Sequence, residues 1–329
     1  IANDPRAREA MKKEYDRHRN VTWNEGGVRE LEDVKREANK TGTTIHIGRV
    51  FGIAGIKRHE LPVDNPMRKY KGRYVFQGNN VKDQDGNWAV FQELGASPAS
   101  METSKVVDFY SLLPGHVQMQ GDAEMAYVQS KLQGTPTWVI LPKDQQPREW
   151  AKKYRMPVVP LVRALYGHPD AGSFWEKHCE TQVRSLGWQP VPDWPSTFWS
   201  AKAKCLMTVY VDDFKMAGKP DVVKEEFAKI RQKIKMDQLQ PVERYLGCHQ
   251  IVKQTKIGGT TYRTLTYDMS DFLKSSCDLY YELAGPNAKP LKKVASPFIP
   301  DKELLENDSK VAGGKAGQKA DSSDSASSR

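Results

Sequence analysis

The sequence predicts an α+β fold: an antiparallel sheet with helices packed on one face. Three observations carry that expectation. The stretch Leu206 to Gly218 has two apolar, β-rich arms around Asp212-Asp213, and reads as a hairpin with both carboxylates at its tip. A second strand, Val117 to Asp122, ends on an acid of its own. Around these strands run segments with apolar residues at helical spacing, so helices alternate with antiparallel strands.

A bare Asp-Asp pair is most simply a solvated turn. Flanks this apolar make the hairpin a central strand pair instead, with its tip over a cleft. Two unit charges about 4 Å apart at an effective dielectric near 20 repel by about 4 kcal/mol. The neighbouring Lys215 is expected to relieve part of this. A divalent cation relieves it better, since hard cations such as Mg2+ take carboxylate oxygens and keep room for phosphates.

The chain has 329 residues, 38% of them hydrophobic, and a net charge of +9, with pI ≈ 9.2 and mean hydropathy -0.68. This suits two or so domain-sized units and a polyanionic partner rather than a membrane core. No apolar run approaches the length of a transmembrane helix. No signal peptide is visible and the first residue is Ile1, which reads as a piece of a longer polypeptide. Cys179, Cys205, Cys248 and Cys277 are widely spaced with no CxxC pair. They fit a reduced intracellular compartment and indicate neither a zinc site nor a disulfide framework.

Taken in order, Asp4-Pro5 is an N-cap and helix start, followed by an exposed helix from Arg6 to Arg19. A second helix spans Val28 to Asn39 and stops near Gly42. Thr43 to Ile56 is a strand whose glycines mark bulges. It forms a hairpin with the basic strand Arg68 to Gly78, through a loop containing Pro62, Asp64, Asn65 and Pro66. Basic residues interleaved with aromatics there suit phosphate contact; an edge strand blunted by Lys and Arg is the alternative. Ser97-Pro98 starts a helix with Met101, Val106, Phe109, Tyr110 and Leu113 on its core face, ended by Gly115.

Further strands follow at Trp138 to Leu141 and Pro157 to Leu165. A helix from Ala171 turns Phe174, Trp175, His178, Val183 and Leu186 inward and ends at Gly187. At that spacing His178-Cys179 is a core pair rather than a metal site. After the acidic hairpin, a helix from Pro220 or Asp221 carries Val223, Phe227, Ile230 and Ile234. Arg244 to Val252 is the next strand, then come a Gly258-Gly259 turn, a strand from Tyr262 to Tyr267 and a helix from Ser270 to about Leu283. Ser296-Pro297 marks the end of folded sequence, and 301–329 reads as a disordered tail.

Asp122, Asp212 and Asp213 are expected at one edge of the sheet. Three carboxylates around a cleft in a basic protein suggest two-metal phosphoryl chemistry. One ion activates an attacking hydroxyl, the other stabilises departing pyrophosphate, and the carboxylates titrate together.

The Tyr210-Val211-Asp212-Asp213 box, the acid at Asp122 and the Ala164-Leu165-Tyr166-Gly167 box resemble a copia-type (LTR retrotransposon) reverse transcriptase. The segment Lys69 to Arg73 resembles that family's basic fingers hairpin, and Tyr245-Leu246-Gly247 its primer-grip strand. The resemblance covers roughly Ala10 to Pro300, with the boxes in the family's order. It implies a right-hand polymerase with fingers (1–97 and 131–167), an antiparallel palm (98–130 and 168–252) and a short thumb-like segment (253–300). The implied activity is RNA-directed DNA polymerisation in a retrotransposon polyprotein: attack of a primer 3′-hydroxyl on a deoxynucleoside triphosphate over an RNA or DNA template. A decayed or domesticated copy that binds nucleic acid without catalysis is the alternative. The implied location is a cytoplasmic particle or the nucleus.

Carried over by residue, Asp122, Asp212 and Asp213 are the implied catalytic carboxylates. Together with the Ala123 carbonyl they are the implied ligands of two Mg2+ ions, for which Mn2+ is a substitute. Tyr127 matches the steric-gate aromatic that excludes a 2′-hydroxyl, and Lys71 and Arg73 are the cations for the triphosphate. The sequence departs from the family pattern at Ala123 (usually Val), at Glu124 and Met125 (often Lys and Thr), and at His168 to Trp175, where two basic residues of Leu-Lys-Gln-Ala-Pro-Arg-Ala-Trp are lost.

Overall fold

Asp4 starts the first helix as its sequence predicts, its carboxylate accepting from the Arg6 amide at 2.9 Å with Pro5 in the first turn. The computed structural model describes residues 4–58, 64–91 and 96–291; Pro62, Ser296-Pro297 and the 301–329 tail lie outside them. The first part of the chain runs α1 (Pro5–His18), β1 (Arg29–Glu30), α2 (Leu31–Thr41), β2 (His46–Lys57) and β3 (Lys69–Phe76). Next come α3 (Met101–Ser111), β4 (Val117–Asp122), α4 (Ala126–Gln129), β5 (Thr137–Ile140), α5 (Trp150–Lys153) and β6 (Pro157–Pro160). The hairpin region holds α6 (Ala171–Ser185), β7 (Gln189–Pro190), β8 (Thr197–Ser200), β9 (Cys205–Tyr210), β10 (Asp213–Gly218) and α7 (Pro220–Arg231). It is followed by β11 (Gln240–Pro241), β12 (Arg244–Tyr245), β13 (Cys248–Ile257), β14 (Thr260–Asp268) and α8 (Ser270–Ala284). The chain divides into one unit up to Met269 and another from Ser270.

The strands of the first unit form three sheets, ordered β1-β6-β5-β2-β3, β11-β4-β10-β9-β8-β7 and β12-β13-β14. The first sheet pairs β2 in parallel with β5, and α1 packs on it through an aromatic cluster of Tyr15, Trp23 and Tyr74. Its glycines do not mark bulges: β2 pairs with β3 in unbroken register from Val50–Phe76 to Lys57–Lys69. Gly48 instead lets the Phe76 ring lie against the backbone, where any Cβ would collide with it.

The six-stranded sheet is antiparallel throughout and carries a core on each face. On one face Met207, Val209, Phe214 and Met216 pack against Trp175, Cys179 and Val183 of α6 and Val223, Phe227 and Ile230 of α7. Each such side chain, fully buried, stabilises by about 1.5–3 kcal/mol. On the other face α3 covers Leu206 and Ala217. Helices therefore lie on both faces, not one: residues alternate along β9 and β10, and the face turned to α3 buries Leu206 and Ala217 together with Thr208 and Lys215.

The α3 helix also corrects two expectations. It starts at Met101 with Ser100 as N-cap, not at Ser97-Pro98: the Ser100 hydroxyl accepts from the Thr103 amide. Its buried face is Thr103, Ser104, Val107, Asp108 and Ser111, while Met101 and Phe109 are more than two-thirds exposed. The second helix likewise begins at Leu31 rather than Val28, and Gly42 ends it in the left-handed conformation as expected. Arg244 to Val252 is not one strand. Leu246 (φ 48) and Gly247 (φ 84) reverse the chain so that Tyr245 pairs with Cys248.

Candidate active site

Asp122 is the last residue of β4 and Asp213 the first of β10, and the antiparallel register sets them directly opposite one another. Asp213 also pairs with Tyr210, the last residue of β9. Asp212 and Val211 form the intervening turn. Val211 has φ 55, a left-handed value that costs a β-branched residue free energy. Two bonds hold the turn in place: the Ala123 amide donates to the Asp212 carbonyl at 2.7 Å, and the Trp175 indole donates to the Val211 carbonyl at 2.6 Å. The sequence thus brings all three aspartates to one sheet edge, because the two strands that carry them end at the same row.

The electrostatics follow from that crowding. Burial, the charges of Asp122 and Asp212 and a hydrogen bond with Asp122 push the Asp213 carboxyl up to about 7. Burial, then Asp122, raises Asp212 as well, while Lys71 and Arg73 oppose the shift. Lys71 is pushed down by burial and by Arg73 and Lys57, and held up by Glu14 and Asp212. Lys71 and Arg73 alternate with Gly72 along β3 and so share one face. Both are thus in electrostatic reach of the acidic tip, although they lie on a different sheet.

Among the described residues, no group of three or more His, Cys, Asp or Glu side chains is disposed to hold a metal ion as it stands. The donor chemistry nevertheless suits a hard cation. Carboxylates supply oxygen ligands, and an Asp213 carboxyl with raised proton affinity marks negative charge that a divalent ion would neutralise.

Tyr127 lies half-buried with its ring edge-on to Tyr166, centroids 4.5 Å apart. Burial raises both hydroxyls, and Asp212 is the next cause for each. Tyr166 therefore joins the site, and only its place in the Ala164–Gly167 box pointed to it. Tyr245 is buried, with its hydroxyl raised by burial and then by the Asp213 charge; Leu246 and Gly247 form the adjoining turn. Lys215 does not serve the acidic pair. Its ammonium group is fully buried and bonds Asp108 of α3 at 2.5 Å, since β10 turns that side chain under the helix. Cys179 is buried in the core as expected, and burial pushes its thiol up.

A family model described as reverse transcriptase (RNA-dependent DNA polymerase) matches residues 56–273. The chain belongs to that family of nucleotidyltransferases, which is typical of copia-type LTR retrotransposons. Among solved structures, it is similar to telomerase from Candida albicans in complex with a TWJ fragment of telomeric RNA, with 10% identity and a TM-score of 0.37. That likeness covers 94% of this chain and 53% of the telomerase chain, so this chain spans about half the length of that one. No curated protein matches.

Proposed function

We propose that this chain is the RNA-directed DNA polymerase domain of a copia-type retrotransposon polyprotein, joining deoxynucleotides to a primer 3′-hydroxyl. The observation that carries the reading is the register of β4 and β10, with Asp122 opposite Asp213 and Asp212 one residue away. Asp122, Asp212 and Asp213, with the Ala123 carbonyl, are the residues to hold two Mg2+ ions. Bound there, such ions supply charge neutralisation at the reacting phosphate and activation of the primer hydroxyl.

The rest of the work belongs to the chain's own residues. Lys71 and Arg73 present cationic donors to a triphosphate across the cleft from the aspartates. The Tyr127 ring, braced by Tyr166, packs against the sugar and excludes a 2′-hydroxyl. The Tyr245–Gly247 hairpin orients the primer end. In this reading β1, β2, β3, β5 and β6 build the fingers and the six-stranded sheet the palm. The expected setting is an intracellular particle or the nucleus.

Primer extension on an RNA template with dNTPs and Mg2+ tests this, with Asp212→Asn as control. Extension by the parent, reduced on the order of 100-fold or more in the variant, is the expected result. Template binding without extension in both proteins would instead support a non-catalytic nucleic-acid-binding copy.

A further inference from the structure

Lys215 lies two residues after Asp213 on β10 and has no exposed surface. All three of its ammonium protons are placed: Asp108 Oδ1 at 2.5 Å, Ser104 Oγ at 2.6 Å and the Ser104 carbonyl at 3.1 Å. The same ammonium sits 4.4 Å from the centroid of the Tyr245 ring. The other oxygen of Asp108 accepts from the Tyr267 hydroxyl at 2.8 Å and from Gln250 Nε2 at 3.4 Å. Gln250 Oε1 in turn accepts from Gln118 of β4 at 2.8 Å.

One buried carboxylate thus ties α3 and the aspartate-bearing strands β4 and β10 to the separate sheet of β12, β13 and β14. Beside it, a cavity of about 700 Å³ is lined by Met101, Tyr210, Tyr245 and Leu246 among others. Apolar packing across such a space fixes orientation poorly, whereas hydrogen bonds to a buried charge are directional and strong.

We propose that Asp108 is a positioning residue of the polymerase site. Through Lys215 on one oxygen and Tyr267 and Gln250 on the other, it fixes the 244–249 hairpin, and with it a primer 3′ end, against Asp213. This rests on the polymerase reading above, so the test needs one arm that does not depend on activity.

A change at Asp108 alone strands the Lys215 charge. The deciding protein is therefore the full chain with Asp108→Leu and Lys215→Met together, which removes both charges and keeps the space filled. Tyr267→Phe, which deletes one hydrogen bond and keeps the ring, is the second variant.

In the folded double variant, kcat for extension falls on the order of 100-fold, while primer–template Kd and the KM for dNTP stay within about threefold of the parent. Unchanged kcat overturns the proposal, and so does a loss carried wholly by Kd or KM. If the parent extends no primer, the polymerase reading fails and amide hydrogen exchange decides whether the hub fastens the hairpin. Exchange at 244–250 should then rise about tenfold or more in the double variant, with 117–122 and 205–218 unchanged. No change at 244–250 overturns the fastening. Should the double variant not fold, Tyr267→Phe carries both readouts, with effects of the same sign and smaller size.

Discussion

Tyr127 and His168 show how neighbours decide what a side chain does. By residue pattern alone Tyr127 reads as a core tyrosine; its edge contact with Tyr166 and the nearby Asp212 charge give it a place beside the acidic tip. Tyr127→Ala is expected to raise ribonucleotide incorporation by about tenfold or more in single-nucleotide insertion assays. Unchanged sugar discrimination would remove its assignment as a gate. His168 is buried among the rings of Phe76, Phe91 and Phe174. Burial pushes its imidazole down to about 4 from the ordinary 6.5, so the unfolded chain binds that proton more readily than the folded one. The stability contributed by neutral His168 is present above pH 6.5 and is lost as pH falls toward 4, by up to about 3 kcal/mol. Urea unfolding between pH 7 and 4.5 should follow this slope, and His168→Phe should flatten it by about one proton. The three aspartates were legible from residue type and position. Lys215's partner was not, because it lies more than a hundred residues away on α3.

At the scale of elements, α3 is where periodicity misled. Its apolar stripe of Met101, Val106 and Phe109 has core spacing, yet the helix turns Ser104 and Asp108 inward. The reason is Lys215: a fully buried ammonium needs acceptors, and leaving it unpaired costs more than exposing a few apolar side chains. The Tyr245–Cys248 turn was misread for a similar reason. Leu gives no turn signal, but the native hairpin holds Leu246 at φ 48, where a Cβ is unfavourable. Leu246→Asn should raise stability by about 1 kcal/mol, read as a higher Tm, because Asn-Gly suits a turn with two positive φ values. A lower Tm would mean that Leu246 makes packing contacts worth more than the strain. The acidic hairpin, by contrast, was read nearly to the residue, since both arms are apolar and its turn is short.

At the scale of the whole molecule, a net charge of +9 is spread over a chain in which no described helix is long and apolar enough to cross a membrane. Binding to a template by phosphate contact releases counterions, so affinity should fall steeply between 50 and 200 mM salt, by about 10³ or more for a site of six or more contacts. Lys71→Ala and Arg73→Ala should each lower the slope of log Kd against log salt by about 1 in fluorescence anisotropy. A slope unchanged by both would exclude β3 from the template path.

The sequence by itself determined which residues carry charge and where strands end: short-range apolar alternation and turn chemistry place Asp122 and the Asp212-Asp213 pair at strand ends. Tertiary structure alone decided the register that sets Asp122 opposite Asp213, the two-sided covering of the sheet, and the diversion of Lys215 to Asp108. These are contacts between residues far apart in the chain, settled by which buried polar groups can satisfy one another once the core has closed.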